Sequence, residues 1–256
     1  MFTKLVPLNS SQHKKMKIRN IQGFGFASKF HVASVMVHEF VRAAAIYPIV
    51  FIEDKTQDVF RPVALLGLKA GENLFVDTDN KWAASYVPAI IRRYPFVLAK
   101  NKEEEKFAIC FDEDSEMINE NDGVPLFNED GSPAEVIENV KRYLTELQQM
   151  EAITLDFCQF MAQNNAFAPM NMRVRKADNV QAIGGCYVIN EERLNNLSDE
   201  RFLELRKKRY LPAVYSHLTS LAQIERLMQL AGEALPEKSF DTIDRVAGEE
   251  SGHVLH

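Results

Sequence analysis

The chain has 256 residues, of which 46% are hydrophobic and 26% charged, and its formal net charge is −6. This is ordinary globular usage and excludes collagen-like, mucin-like, prion-like and wholly disordered chains. The acidic balance also argues against a protein held to nucleic acid by bulk positive charge.

Residues 1–38 carry six Lys or Arg and no acid. No apolar core follows Lys4, Lys14, Lys15, Lys17 and Arg19, so neither a secretory signal nor a transit peptide is expected. The best apolar run, Val41–Ile52, is interrupted by Arg42 and Pro48 and falls short of the roughly 18 residues of a bilayer span. A cytoplasmic protein without a membrane span is the expectation. Cys110, Cys158 and Cys186 are odd in number and far apart, which points to buried thiols rather than disulfides or zinc ligands.

The apolar spacing of Val35, Val37, Phe40, Val41 and Ala44 predicts a helix over Ser34–Ala45. Tyr47–Ile52, Arg61–Leu68 and Asn73–Val76 read as strands, the last two joined by a turn at Lys69–Glu72. After a turn at Asp77–Asn80, Ala83–Arg93 reads as a short helix that Pro88 either disturbs or enters in its first turn. Tyr94–Leu98 and Phe107–Phe111 read as strands around the polar loop Asn101–Glu105.

Beyond the acidic stretch Asp112–Pro133, Ser132 as cap and Pro133 at N1 open the longest predicted helix. Its seam runs from Val136 to Met161, with a break expected near Ala152–Thr154. Met170–Val174 and Gln181–Ile189 follow as strands across Ala177–Asn179, with a bulge expected at Gly184–Gly185. Ser198 caps a helix, and Leu211–Leu230 forms the last one, entered through Pro212. Strands and helices in this order predict an α+β fold. We expect mostly antiparallel sheets flanked by helices, one long central helix and a helical C-terminal part. Residues 1–232 read as a single domain and 233–256 as an acidic, loose tail.

Motifs for chemistry mostly fail. Gly23-Phe24-Gly25-Phe26 lacks the Lys-Ser/Thr of a P-loop and the third glycine of a dinucleotide site, so it reads as a packed edge or turn. His38-Glu39 begins a zincin motif, but Arg42 stands where the second ligand belongs. Asp112–Glu116 and Asp77–Asn80 begin like calcium loops, yet Met117 and Trp82 occupy the required glycine position, so both read as solvated loops. Ser216, Ser220 and His217 have the groups for a triad with a distant acid, a geometry that spacing does not decide. His31, His38 and His217 show no local metal spacing, and no metal or cofactor is expected.

Arg92-Arg93-Tyr94-Pro95-Phe96 places two guanidiniums beside aromatics, a pattern suited to binding a carboxylate or phosphate. Trp82 and Tyr86, four apart, would cover the same surface, and Glu39 or Glu72 would orient the arginines. The competing reading is a structural ion pair.

The ordered set Glu39; Tyr47–Phe51; Leu65–Leu68; Glu72–Val76; Trp82; Tyr86–Pro88; Arg92–Phe96; Asp112-Glu113; Leu126-Phe127; Asp130-Gly131; and His217–Leu221 resembles the SapC family of bacterial proteins from about Leu5 to Leu227. Lys81, where a small residue is common, and Thr219, in place of leucine, depart from the family pattern. The resemblance implies no catalytic residues. It implies a genomic setting beside outer-membrane TonB-dependent receptors, tryptophan halogenases and cupin-like oxygenases, and the family name derives from a surface-layer context.

The favoured expectation is a non-enzymatic binding or accessory protein for a peptide, an anionic small molecule or a protein partner, linked to outer-membrane nutrient uptake. Its site would comprise Arg92, Arg93, Trp82, Tyr86, Glu72 and Glu39. One alternative is an enzyme modifying a peptide or amino acid through His38, Glu39 and His217. Another is a surface-layer structural protein.

Overall fold

The computed structural model describes residues 2–100, 107–176 and 179–232. The strands are β1 (Leu5–Pro7), β2 (Lys17–Ile18), β3 (Val32–Ser34), β4 (Ile49–Asp54), β5 (Val59–Leu65), β6 (Phe96–Lys100), β7 (Phe107–Asp112), β8 (Ile118–Asn119), β9 (Val124–Pro125), β10 (Phe167–Lys176) and β11 (Asn179–Ile189). The helices are α1 (Ser10–His13), α2 (Phe40–Ala43), α3 (Ala89–Arg92), α4 (Glu135–Gln163), α5 (Glu191–Asn195), α6 (Asp199–Lys207), α7 (Leu211–Ser220) and α8 (Gln223–Leu230). The strands form antiparallel sheets ordered β10-β11-β4-β5-β3, β1-β7-β6 and β8-β2-β9. This is the expected α+β architecture. No helix among the described residues is long and apolar enough to cross a membrane. The acidic segment 233–256, the loop 101–105 and the turn residues Ala177-Asp178 lie outside the described residues.

Ile49, Val50 and Phe51 of β4 are fully buried and form the centre of the larger core. Phe40 and Phe157 pack on Phe51, so the start of α2 and the C-terminal half of α4 close over the sheet. A smaller core forms where Ile137, Leu144 and Leu147 of α4 meet Phe96, Phe111 and Leu126. Helix α4 therefore belongs to both cores, and its 29 residues reach about 43 Å.

The helix expected at Ser34–Ala45 is cut down to a 3₁₀ turn, Val37–Glu39, running into α2. Ser34 pairs with Val63 in the sheet, and the Glu39 carboxylate accepts from Met36 N at 2.9 Å, which holds the entry non-helical. Asn73–Val76 is not a strand. Asn73 Oδ1 accepts from Phe75 N in a local turn; of the expected hairpin the bond from Leu74 N to Leu66 O remains, at 2.8 Å, and Val76 bridges to Trp82 instead. Only Ala89–Arg92 of the expected 83–93 helix is helical, because Pro88 ends extended backbone at its N-terminus.

Helix α4 starts at Glu135 without a side-chain cap, since Ser132 closes a turn on Asp130 instead. It also runs unbroken through Thr154, whose hydroxyl donates to Met150 O and accepts from Val37 N. The expected last helix is two, α7 and α8, with 3₁₀ bonds at Leu221 and Ala222 between them.

Other expectations hold. The β10–β11 pairing advances three residues on β11, from Cys186 to Ile183, for two on β10, which places the bulge at Gly184–Gly185. Gly185 has φ +84°, a conformation that other residues adopt at a cost. Ser198 caps α6 by accepting from Arg201 N. Pro169 lies in β10, an edge strand, where a missing N–H is tolerated.

Candidate functional site

The loop between β5 and α3 folds inward because its aromatics find polar partners inside. Trp82 Nε1 donates to the Tyr47 hydroxyl at 2.8 Å and to Tyr86 O at 3.1 Å, and the Tyr47 hydroxyl donates to Tyr86 O. Tyr86 donates to Glu39 Oε1 at 2.5 Å, and Ala89 N donates to the same oxygen at 2.7 Å. Glu39 is 5% exposed and its other oxygen holds Met36 N. Burial, with the neighbouring carboxylate, raises the Tyr86 pKa well above the ordinary tyrosine value. Trp82, Tyr86 and Glu39 thus come together, but as an internal brace rather than as pocket walls.

The arginines are oriented by neither Glu39 nor Glu72. Glu72 accepts from Leu68 N at 3.3 Å and so closes its own turn. Arg92 is exposed, with Nε donating to Val87 O at 3.0 Å and its guanidinium 5.7 Å from the centroids of both the Tyr86 and Tyr143 rings. Arg93 turns the other way, over Phe2 at 5.5 Å. It lines a cavity of about 120 Å³ with Met36, Leu144, Gln148 and Glu151. Its Nε is buried without a hydrogen-bond partner, and burial lowers its pKa. The two guanidiniums do not converge on one ligand.

The histidines are separated too. His38 is exposed, while His217 is fully buried. His217 Nε2 accepts from Ile189 N at 3.0 Å, and Nδ1 donates to Ile49 O at 2.9 Å. The ring bridges β11 and β4 where their direct pairing has stopped at Tyr187–Phe51. Burial lowers the His217 pKa to about 4, so the ring is neutral at pH 7. Ser220 Oγ accepts from Ile49 N and donates to His217 O, so two of the three triad candidates, His217 and Ser220, are committed to backbone. The three cysteines are buried and burial raises their pKa values, that of Cys158 to about 12. No group of three metal-ligating side chains occurs among the described residues.

A ligand-sized space among the described residues lies elsewhere, at a cleft of about 500 Å³. Three segments that each fail as motifs converge there: Arg19–Phe26, the Asp79-Asn80 turn and Asp114–Met117, with Tyr94 between them. Phe24 N donates to Asn80 O at 2.5 Å and Arg19 N to Met117 O at 2.9 Å, which ties the walls together. A Cβ on Gly23 would lie 3.0 Å from Asn80 O, and one on Gly25 2.9 Å from Asn80 Oδ1, so the glycines permit this approach.

Phe24, between the glycines, packs edge-on to Trp82, and Phe26, after them, stacks on Tyr94 with centroids 4.1 Å apart. Tyr94 is anchored through its hydroxyl to Asp112 Oδ2 at 3.2 Å. Asp112 is 1% exposed. Burial disfavours its charge, but bonds from Lys4 N, Thr3 N and Tyr94 outweigh this and hold its pKa below the ordinary carboxylate value. Arg19, Asp79, Tyr94, Asp114 and Glu116 were not expected as site residues. Only tertiary contacts between loops reveal them, although the glycine–phenylalanine alternation marks the spot.

Fold and cleft define an α+β protein with a ligand-sized depression built from loops and lined by aromatic, acidic and basic groups. The SapC family model matches residues 8–227, and the chain belongs to that family. No curated protein and no solved structure matches the chain.

Proposed function

We propose that this protein is a non-enzymatic binding module, with its ligand seated in the cleft between Arg19–Phe26, Asp79-Asn80 and Asp114–Met117. The observation that carries this reading is the cleft itself. Its volume of about 500 Å³ lies in the range of small-molecule and short-peptide sites, and its lining mixes an aromatic wall with a few charged groups. The groups that an enzyme reading would use support it from the other side. His217 and Ser220 bond to backbone in the core, and Glu39 is saturated by three donors.

A thermal-shift screen of peptides and metabolites tests this on the wild type, Gln22→Phe and Arg92→Ala/Arg93→Ala. Gln22 is exposed on the cleft rim, so a phenyl ring there obstructs the cleft without disturbing the core. Ligands that raise the melting temperature of the wild type and the arginine variant, but not of Gln22→Phe, support the cleft. Ligands lost only in the arginine variant move the site to Arg92. That second reading draws on the fixed guanidinium of Arg92 between two tyrosine rings, an arrangement suited to a carboxylate.

A further inference from the structure

We infer that the C-terminal end of α6 docks this protein on an anionic lipid surface. Arg206-Lys207-Lys208-Arg209 is the longest unbroken run of lysine and arginine in a chain whose formal net charge is −6. All four residues are exposed. Lys208 pairs with Asp156 at 2.8 Å, whereas Arg206, Lys207 and Arg209 form no ion pair among the described residues. Cations in the last turn complement the helix dipole, but this run continues past the end of the helix at Lys207.

The backbone itself does not favour an arginine at the end of that run. Tyr210 N donates to Leu205 O at 3.1 Å and Arg209 N to Arg206 O at 3.0 Å, the pair of bonds that closes a helix on a left-handed residue. Arg209 is that residue, with φ +61°. Glycine suits this conformation and a side chain strains it, so the chain carries a cation where its fold favours glycine.

A separate feature indicates what the cations face. Phe202 and Leu203 are 38% and 45% exposed, and no other two exposed large hydrophobic residues among the described ones are adjacent in the chain. Residues four apart share a helix face, so Phe202 stands one turn from Arg206 and Leu203 one turn from Lys207. Leu205, fully buried, anchors the other side of α6 in the larger core. The exposed face therefore sets two apolar side chains beside a row of unpaired cations. A nucleic-acid duplex would meet the cations and leave Leu203 in water. A bilayer surface meets both: phosphate headgroups take the guanidinium and ammonium groups, and the acyl boundary beneath them takes Phe202 and Leu203. None of these residues lines the cleft, so vesicle binding and cleft binding are separable.

The test is flotation of the full chain with vesicles of phosphatidylcholine, alone or with one-third phosphatidylglycerol, at low and high salt. The wild type is compared with Arg206→Gln/Lys207→Gln/Arg209→Gly, with Phe202→Ser/Leu203→Ser and with Arg209→Gly alone. Melting curves verify folding, and Leu203→Ser alone stands in if the double variant unfolds. The expected result is binding to the anionic vesicles only, falling with added salt. Each cation near an anionic surface is worth roughly fivefold in affinity, so the triple variant should lose on the order of a hundredfold. Phe202→Ser/Leu203→Ser should lose about tenfold. Arg209→Gly should melt higher than the wild type yet bind about fivefold more weakly, a combination that a purely structural arginine does not give. Equal binding to both kinds of vesicle, no binding to the anionic ones at low salt, or unchanged binding in the triple variant overturns the inference. Unchanged binding after loss of Phe202 and Leu203, or retention of a DNA duplex in place of vesicles, overturns the lipid surface as the partner.

Discussion

The buried polar groups Glu39, His217, Ser220 and Thr154 are met by the protein's own backbone; the Arg93 guanidinium, beside the smaller core, keeps a buried nitrogen that is not. Glu39, His217, Ser220 and Thr154 together hold Met36, Ala89, Ile189, Ile49 and Val37. Near the smaller core Asp112 does the same for Thr3 and Lys4, but Arg93 Nε is buried without a hydrogen-bond partner, while Arg19 Nε lies 3.3 Å from Asp122 Oδ2. A satisfied buried group fixes geometry. An unsatisfied one costs about 1–3 kcal/mol, which a water or a ligand oxygen can recover. Buried histidine and glutamate thus serve the architecture, and Arg93 stands apart from them.

The severest test of this division is Glu39→Ala. It leaves Met36 N, Ala89 N and the Tyr86 hydroxyl without their acceptor and opens a void, so a loss of about 3–5 kcal/mol is expected in denaturant unfolding. A loss under about 1 kcal/mol would mean that the brace is not structural.

Next comes acid titration of His217. Its folded pKa of about 4 lies below the unfolded value of 6.5, so the unfolded state takes up the proton first. Stability from neutral His217 is fully present above pH 6.5 and is lost as pH falls toward 4, by about 3 kcal/mol in all. Stability measured against pH should lose this slope in His217→Gln. A slope unchanged by the substitution assigns it to other groups.

Asp112→Asn should cost about 2 kcal/mol, because an amide cannot accept from Thr3 N, Lys4 N and Tyr94 as the carboxylate does. Proteolysis near the N-terminus should quicken with it. Because the folded pKa of Asp112 is lowered, the wild type keeps this contribution at neutral pH and loses it as pH falls below the ordinary carboxylate range. The smallest effect is expected for Arg93→Met. Removing a guanidinium whose Nε lacks an acceptor should change stability by less than about 1 kcal/mol, in either direction. A loss above about 2 kcal/mol would place Arg93 with the structural groups and break the contrast.

Local pattern in the sequence carried the central strands, the long helix and the bulge at Gly184–Gly185, because alternation, seam spacing and paired glycines are short-range signals. It failed where side chains bond to distant backbone. Glu39 shortens one helix start and Thr154 ties the unbroken long helix to Val37, and neither effect leaves a trace in periodicity. The short strands β1, β2, β8 and β9 were invisible for a related reason: with two or three residues each, they exist only through their partners. The site residues divided likewise. Trp82, Tyr86 and Glu39 lie in one hydrogen-bonded group, turned inward. The cleft was hidden because Arg19, Asp79 and Asp114 are about 60 and 35 residues apart along the chain, and loop contacts of that range follow from the whole fold rather than from a motif.

Helix α4 supplies Phe157 and Met161 to one core and Ile137, Leu144 and Leu147 to the other. Melting either core would strip one half of the helix of its packing, and isolated half-helices of this length hold little structure in water. Opening events that expose the amides of α4 should therefore involve both cores together. Under native-state hydrogen exchange the buried stretches at its two ends are expected to share one protection free energy, equal to that of global unfolding. The cleft loops, which lie outside the helix, should exchange through separate and easier openings, so their edges can open while the helix keeps its packing on both cores.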